Sequence, residues 1–108
     1  MKINIGSMLA KRAIMHPERE AFVDVQDDTR YTYSQYNTNT NRTANMLKDN
    51  DIRRGDRIAL LMMNRCGYLQ SFFAIAKLGA ICVPLNWRLV ADELIFILKD
   101  SGAKVLIY

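Results

Sequence analysis

The sequence predicts an α/β fold: a parallel sheet with crossover helices in the order βαβαβ, preceded by an N-terminal helix and a short β-hairpin. Three observations carry this. Residues 58–63 (Ile-Ala-Leu-Leu-Met-Met) form a continuous apolar run, as a parallel strand covered on both faces requires. Two further short apolar runs follow, at 80–85 and 104–108. Between them lie amphipathic stretches near 66–78 and 92–100, which predict the two crossover helices and, with right-handed connections, a parallel sheet.

Taken in order, the chain opens with Ile5, Met8, Leu9 and Ala13 at helical spacing behind Asn4, a good capping residue. His16-Pro17 ends that helix, because proline disfavours helical geometry in the residue before it. Residues 21–25 and 30–33 read as two short strands around the turn-like Gln26-Asp27-Asp28-Thr29, hence a hairpin. Thr32 and Gln35 have the spacing of a capping box, so a helix should follow with Tyr36, Thr40, Thr43, Ala44 and Leu47 along one face. Asn37-Thr38-Asn39-Thr40-Asn41 are weak helix formers, and composition alone leaves a loop open there. Asn64 is placed to cap the next helix, where Leu69, Phe72, Phe73 and Ala76 form a stripe and Gly79 supplies the stop. Leu94, Ile97 and Leu98 mark the last helix, which Gly102 ends.

The composition is that of an ordinary globular chain. Half of the 108 residues are hydrophobic and 24% are charged. No run approaches the ~18 to 20 apolar residues of a membrane span, and the start has no apolar core with a cleavage site, so the expectation is cytoplasmic. The net charge is +4, yet the basic residues are scattered among acids, as in Arg53-Arg54-Gly55-Asp56-Arg57. No nucleic-acid interface is expected. Lys11 and Arg12, with Arg19 nearby, read as a solvated helix face rather than a site for anionic lipid headgroups. Cys66 and Cys82 sit inside apolar segments and read as buried, reduced, structural cysteines. With one histidine and no C-x-x-C, nothing suggests a zinc site.

Chemistry-bearing motifs are missing. The five glycines, at 6, 55, 67, 79 and 102, form neither G-x-G-x-x-G nor G-x-x-x-x-G-K-[ST], so no loop cradles a dinucleotide or triphosphate. His16 lies far in sequence from any nucleophile, and Glu18 and Glu20 read as solvated surface rather than an acid–base pair. Asn86, Trp87 and Arg88 follow the C-terminal end of a parallel strand, where α/β folds place ligands. They read first as a structural turn whose Arg88 pairs within the domain, and second as a contact with substrate or with the rest of an enzyme.

Two stretches resemble the first core motifs of the adenylate-forming superfamily, which includes acyl-CoA synthetases, luciferases and peptide-synthetase adenylation domains. One is Tyr31-Thr32-Tyr33-Ser34-Gln35 with Asn41-Arg42 and Ala44-Asn45; the other runs from Phe73 through Lys77-Leu78-Gly79-Ala80 to Pro84-Leu85-Asn86. Arg54-Gly55-Asp56-Arg57-Ile58-Ala59-Leu60, Glu93-Leu94 and Asp100-Ser101-Gly102-Ala103-Lys104-Val105 complete the series in order. Pro84-Leu85-Asn86 with Arg88-Leu89 looks more like acyl- or aryl-CoA synthetases than peptide-synthetase domains. There are departures. Asn50-Asp51 stands in place of a helix-ending Leu-Gly, and Asn tolerates the left-handed conformation. Val90 replaces a capping Thr or Ser, so that Asp92 would cap a shorter helix. Gly67 sits where Glu is common.

The resemblance implies that residues 1–108 are a single incomplete domain, the N-terminal part of the large domain of an acyl-CoA synthetase. It implies that the whole enzyme joins a carboxylic acid to coenzyme A with ATP and magnesium, through an acyl-adenylate, releasing AMP and pyrophosphate. The family's phosphate loop, ribose-binding Asp and catalytic Lys have no matching positions here, so no catalytic, cofactor-binding or metal residue is expected in this segment. The segment alone should be inactive, and it should self-associate through an uncovered sheet edge. A free-standing α/β binding or assembly module without catalysis is the alternative.

Overall fold

At the centre of the molecule is β3 (Arg57–Leu60), whose Ile58, Ala59 and Leu60 are fully buried. The computed structural model describes residues 5–63 and 65–108. Strands β4 (Ile81–Pro84) and β5 (Val105–Ile107) flank β3, both parallel to it, in the order β4-β3-β5. Helix α3 (Cys66–Lys77) joins β3 to β4, and α4 (Ala91–Ser101) carries the chain back across β3 to β5. The two crossovers run in opposite directions, so right-handedness puts α3 and α4 on opposite faces. Register agrees: Ile58, Cys82 and Val105 stand side by side and join Ala44, Leu47, Ile52, Ala74 and Ile75 in the core. Ala59, Val83 and Leu106 point the other way. All three strands are shorter than the apolar runs. Ala80 is drawn into the stop of α3, where its N–H donates to the Ile75 carbonyl. Leu61 and Leu85 each donate one more ladder-like bond, after which Met62 and Met63 have no strand beside them.

Helix α1 (Ile5–Met15) ends at His16-Pro17 as the sequence predicts, while the capping roles read for Asn4 and Asn64 lie outside the described residues. Strands β1 (Glu20–Asp24) and β2 (Thr29–Thr32) pair antiparallel in a separate two-stranded sheet. Tyr33, read as the end of that strand, is instead the first residue of α2 (Tyr33–Asp49). The reason is the capping box: Thr32 is extended, its hydroxyl accepts from the Gln35 N–H, and the Gln35 side chain accepts from the Thr32 N–H.

The Asn/Thr run is helical throughout. Thr38, Thr40 and Thr43 donate their hydroxyls to carbonyls one turn back, and Thr40 is fully buried. Asn37 and Asn41 both turn their amide oxygens to the Lys77 ammonium of α3, the latter at 2.7 Å, and Gln70 donates to Thr43 at 3.0 Å. A polar helix face that looks solvated in one dimension is therefore a helix–helix contact.

The stops of α2 and α3 follow one pattern. At Gly79 (φ 70°) the N–H groups of Gly79 and Ala80 bond to the carbonyls of Ala76 and Ile75, a Schellman motif. The same pair of bonds closes α2 with Asp51, at φ 64°, in the left-handed position. This corrects the expectation for Asn50, which stays at φ −92°. The apolar contact of the motif falls between Ile52 and Leu47, both core residues, and holds Asp51 where glycine is usual. Helix α4 also differs from expectation. It begins at Ala91 behind Val90, not at a shorter start capped by Asp92, because Glu93 accepts from the Val90 N–H. None of its residues is buried, and Phe96 is 69% exposed.

Candidate functional site

The C-terminal ends of parallel strands are where open α/β sheets bind ligands. Here that end opens on a groove of about 400 Å³ between the hairpin and the segments leaving β3 and β4. Phe22, Val23, Val25 and Gln26 line it from the hairpin, Met63 and Arg65 from the segment after β3, and Trp87 from the turn after β4.

One ion-pair cluster fixes the groove's shape. Arg65 donates to Asp24 through Nη2 at 2.9 Å and Nε at 3.2 Å, and also pairs with Asp27. The other Asp24 oxygen accepts the backbone N–H groups of Gln26 and Asp27, which forms the hairpin turn. Asp24 thus ties the turn to the start of α3. The Arg65 hydrogen bond holds its carboxyl below the ordinary carboxylate range, against a smaller opposing effect of burial. Asp24 raises the Arg65 guanidinium in return. No sequence signal links positions 24 and 65, which come together only through the packing of the hairpin.

Behind the groove, Phe22 stacks on Tyr36 with ring centroids 6.0 Å apart. Tyr36 is buried and donates its hydroxyl to the Cys66 carbonyl at 3.1 Å, and burial pushes its phenol far up. Cys66 and Cys82 are unpaired and half-buried, less enclosed than the sequence suggests, with burial raising both thiols.

The turn after β4 is built by Asn86, whose side-chain oxygen accepts the Arg88 N–H and whose carbonyl accepts the Leu89 N–H. Arg88 lies over the Trp87 ring at 5.0 Å. The structural reading of the turn holds, but its arginine meets a ring rather than an acid. Trp87 reaches the groove and is half exposed, whereas Asn86 and Arg88 are not among the lining residues. His16 closes α1, and Glu20 pairs with Arg30 at 3.0 Å on the surface, so neither joins the groove.

Among the described residues no three His, Cys, Asp or Glu side chains gather to hold a metal. The two acids at the groove are already engaged by Arg65. The donor set of the groove fits neither magnesium nor a triphosphate.

Residues 9–108 match the family described as AMP-binding enzyme. The long-chain-fatty-acid–CoA ligase FadD13 of Mycobacterium tuberculosis is 50% identical over 105 residues, which is 97% of this chain and 21% of the ligase. Feruloyl-CoA synthase of Amycolatopsis sp is 41% identical over 104 residues, covering 96% of this chain and 21% of that protein. The crystal structure of the inhibitor-bound N-terminal domain of FACL13 from Mycobacterium tuberculosis superposes with a TM-score of 0.95 at 50% identity, over 100% of this chain and 27% of that one. The chain spans about a fifth of the length of the curated relatives it matches.

Proposed function

The chain belongs to the AMP-binding enzyme family, and from that premise we propose that residues 1–108 are the N-terminal part of the large domain of an acyl-CoA synthetase. The whole enzyme is an AMP-forming acid–thiol ligase: a fatty or aryl carboxylic acid, ATP and coenzyme A give acyl-CoA, AMP and pyrophosphate, with magnesium. The observation that carries this is the 50% identity to a fatty-acid–CoA ligase along 97% of the chain. The setting is fatty or aryl acid metabolism in the cytoplasm. No helix among the described residues is long and apolar enough to cross a membrane.

Within that enzyme this segment is scaffold. Its residues hold the hairpin against the strand ends through Arg65 and keep Met63 and Trp87 facing the groove. No catalytic, nucleotide-binding or metal-binding residue is assigned to it. In carboxylate-dependent exchange of pyrophosphate into ATP, the whole enzyme should be active and the purified 108-residue chain should match a no-protein control. Exchange by the 108 residues alone overturns the scaffold reading, and an inactive whole enzyme overturns the assignment.

The isolated segment should also self-associate. Both β4 and β5 are edge strands, and Ile95 and Phe96 of α4 are at least half exposed. Covering ~500 Å² of apolar surface per chain is worth on the order of 12 kcal/mol before association entropy. A clean monomer in light scattering at high micromolar concentration would count against this.

A further inference from the structure

Lys77, the last residue of α3, is half-buried where α1, α2 and α3 meet. Its stem runs beneath Gly6 of α1, so close that a Cβ on Gly6 would fall 2.5 Å from Lys77 Cγ. Beyond the stem, Nζ reaches α2 and donates to the amide oxygens of Asn37 and Asn41, the latter at 2.7 Å. Packing fixes the side chain at one end and two acceptors fix it at the other.

Both acceptors are neutral. Among the described residues no carboxylate pairs with Lys77, whereas the Lys104 ammonium sits 3.3 Å from Asp56. An ammonium carries three N–H groups, and a neutral amine carries two with a lone pair. Asn37 and Asn41 therefore satisfy both N–H groups of the amine and leave its lone pair free, while a third N–H has no acceptor among the described residues. Burial acts in the same direction: desolvation without a compensating charge holds the Lys77 ammonium below the ordinary lysine range. Desolvated lysines are the nucleophilic ones. Lys11, Lys48 and Lys99, by contrast, are exposed.

We propose that Lys77 is a site of Nε-acylation by small acyl thioesters. The Nζ lone pair attacks the thioester carbonyl carbon, the C–S bond breaks and an amide forms. The thiol leaves with the proton that the nitrogen gives up, and nothing is oxidised or reduced. The amide product keeps a single N–H, so one of the two asparagines loses its donor and the contact between α2 and α3 weakens. This reactivity belongs to the chain itself and does not depend on the reaction the whole enzyme performs.

The probe is the acetyl thioester of N-acetylcysteamine, which carries no nucleotide and so needs no site for coenzyme A. In the intact folded protein, mass spectrometry of proteolytic peptides should show Lys77 acetylated several-fold faster than Lys11, Lys48 or Lys99. In urea that preference should vanish, because packing creates it. Asn41 is exposed, so Asn41→Asp places a carboxylate beside the nitrogen without disturbing the core. That variant should acetylate at Lys77 about tenfold more slowly, with the three exposed lysines unchanged. The mark should survive hydroxylamine, which strips acyl groups from thiols such as Cys66 and Cys82. Lys77 modified no faster than the exposed lysines overturns the proposal. So does a preference that persists in urea, or one indifferent to Asn41→Asp.

Discussion

Adding one methyl group at Gly6 should loosen α1 from the rest of the molecule. A Cβ built there meets the Lys77 backbone N and Cγ at 2.5 Å and the Lys77 Cα at 2.6 Å. Carbon atoms in contact sit at about 3.5–4.0 Å, so α1 must back away by roughly 1 Å from a helix backbone that has no give. Overpacking of this kind costs about 1–3 kcal/mol. A 1 Å gap also forfeits up to half of the dispersion contact that Leu9, on the same helix, makes with the interior. Against this, alanine is better than glycine in a helix by at most ~1 kcal/mol. Gly6→Ala should therefore destabilise the protein by about 1–3 kcal/mol, read as a lower urea midpoint with an unchanged slope and a Tm drop on the order of 5–15 °C. The control is Gly67→Ala in the first turn of α3. There the new Cβ meets only the Met62 terminal methyl at 3.0 Å, which swings aside. That variant should be neutral or more stable by up to ~1 kcal/mol. If Gly6→Ala is as stable as the parent, or both variants lose stability alike, the close approach of α1 to α3 is not what the structure indicates.

Thr32→Ala should cost about 1 kcal/mol in chemical unfolding, because it removes the acceptor that opens a helix rich in Asn and Thr; a change within a few tenths would refute the capping role. Val90→Thr should stabilise by about 0.5–1 kcal/mol, since Glu93 already supplies half of a capping box and Val90 is exposed; no gain would mean that the N-terminus of α4 is satisfied otherwise. The Asp24 carboxyl is lower in the folded protein than its unfolded value near ~3.9, so its stabilisation is fully present above that pH and is lost as the pH falls through the lower folded value. Thermal melts from neutral to acid pH should therefore fall more steeply in the parent than in Arg65→Ala, with the remaining loss owed in part to Asp56, which the Arg53 N–H and Lys104 depress. Parallel acid limbs for the two proteins would show that Arg65 does not set the Asp24 carboxyl.

The sequence by itself determined the class of fold, the order of its elements and the family. Burial patterns repeat locally: Ile58-Ala59-Leu60 has to be an interior strand, and Thr32 with Gln35 has to start a helix, wherever the rest of the chain goes. Only the tertiary structure decided which polar residues face inward. Asn37 and Asn41 look like a solvated or irregular run until α3 brings Lys77 beside them. Asp24 and Arg65 are 41 residues apart, and the groove at the strand ends exists because they meet. Gly6 carries no local signal at all, since its reason is the backbone of a helix some 70 positions later. Local patterns fix hydrogen-bonded elements because those form between near neighbours. Sites depend on side chains from distant elements, whose proximity is set by how the elements pack.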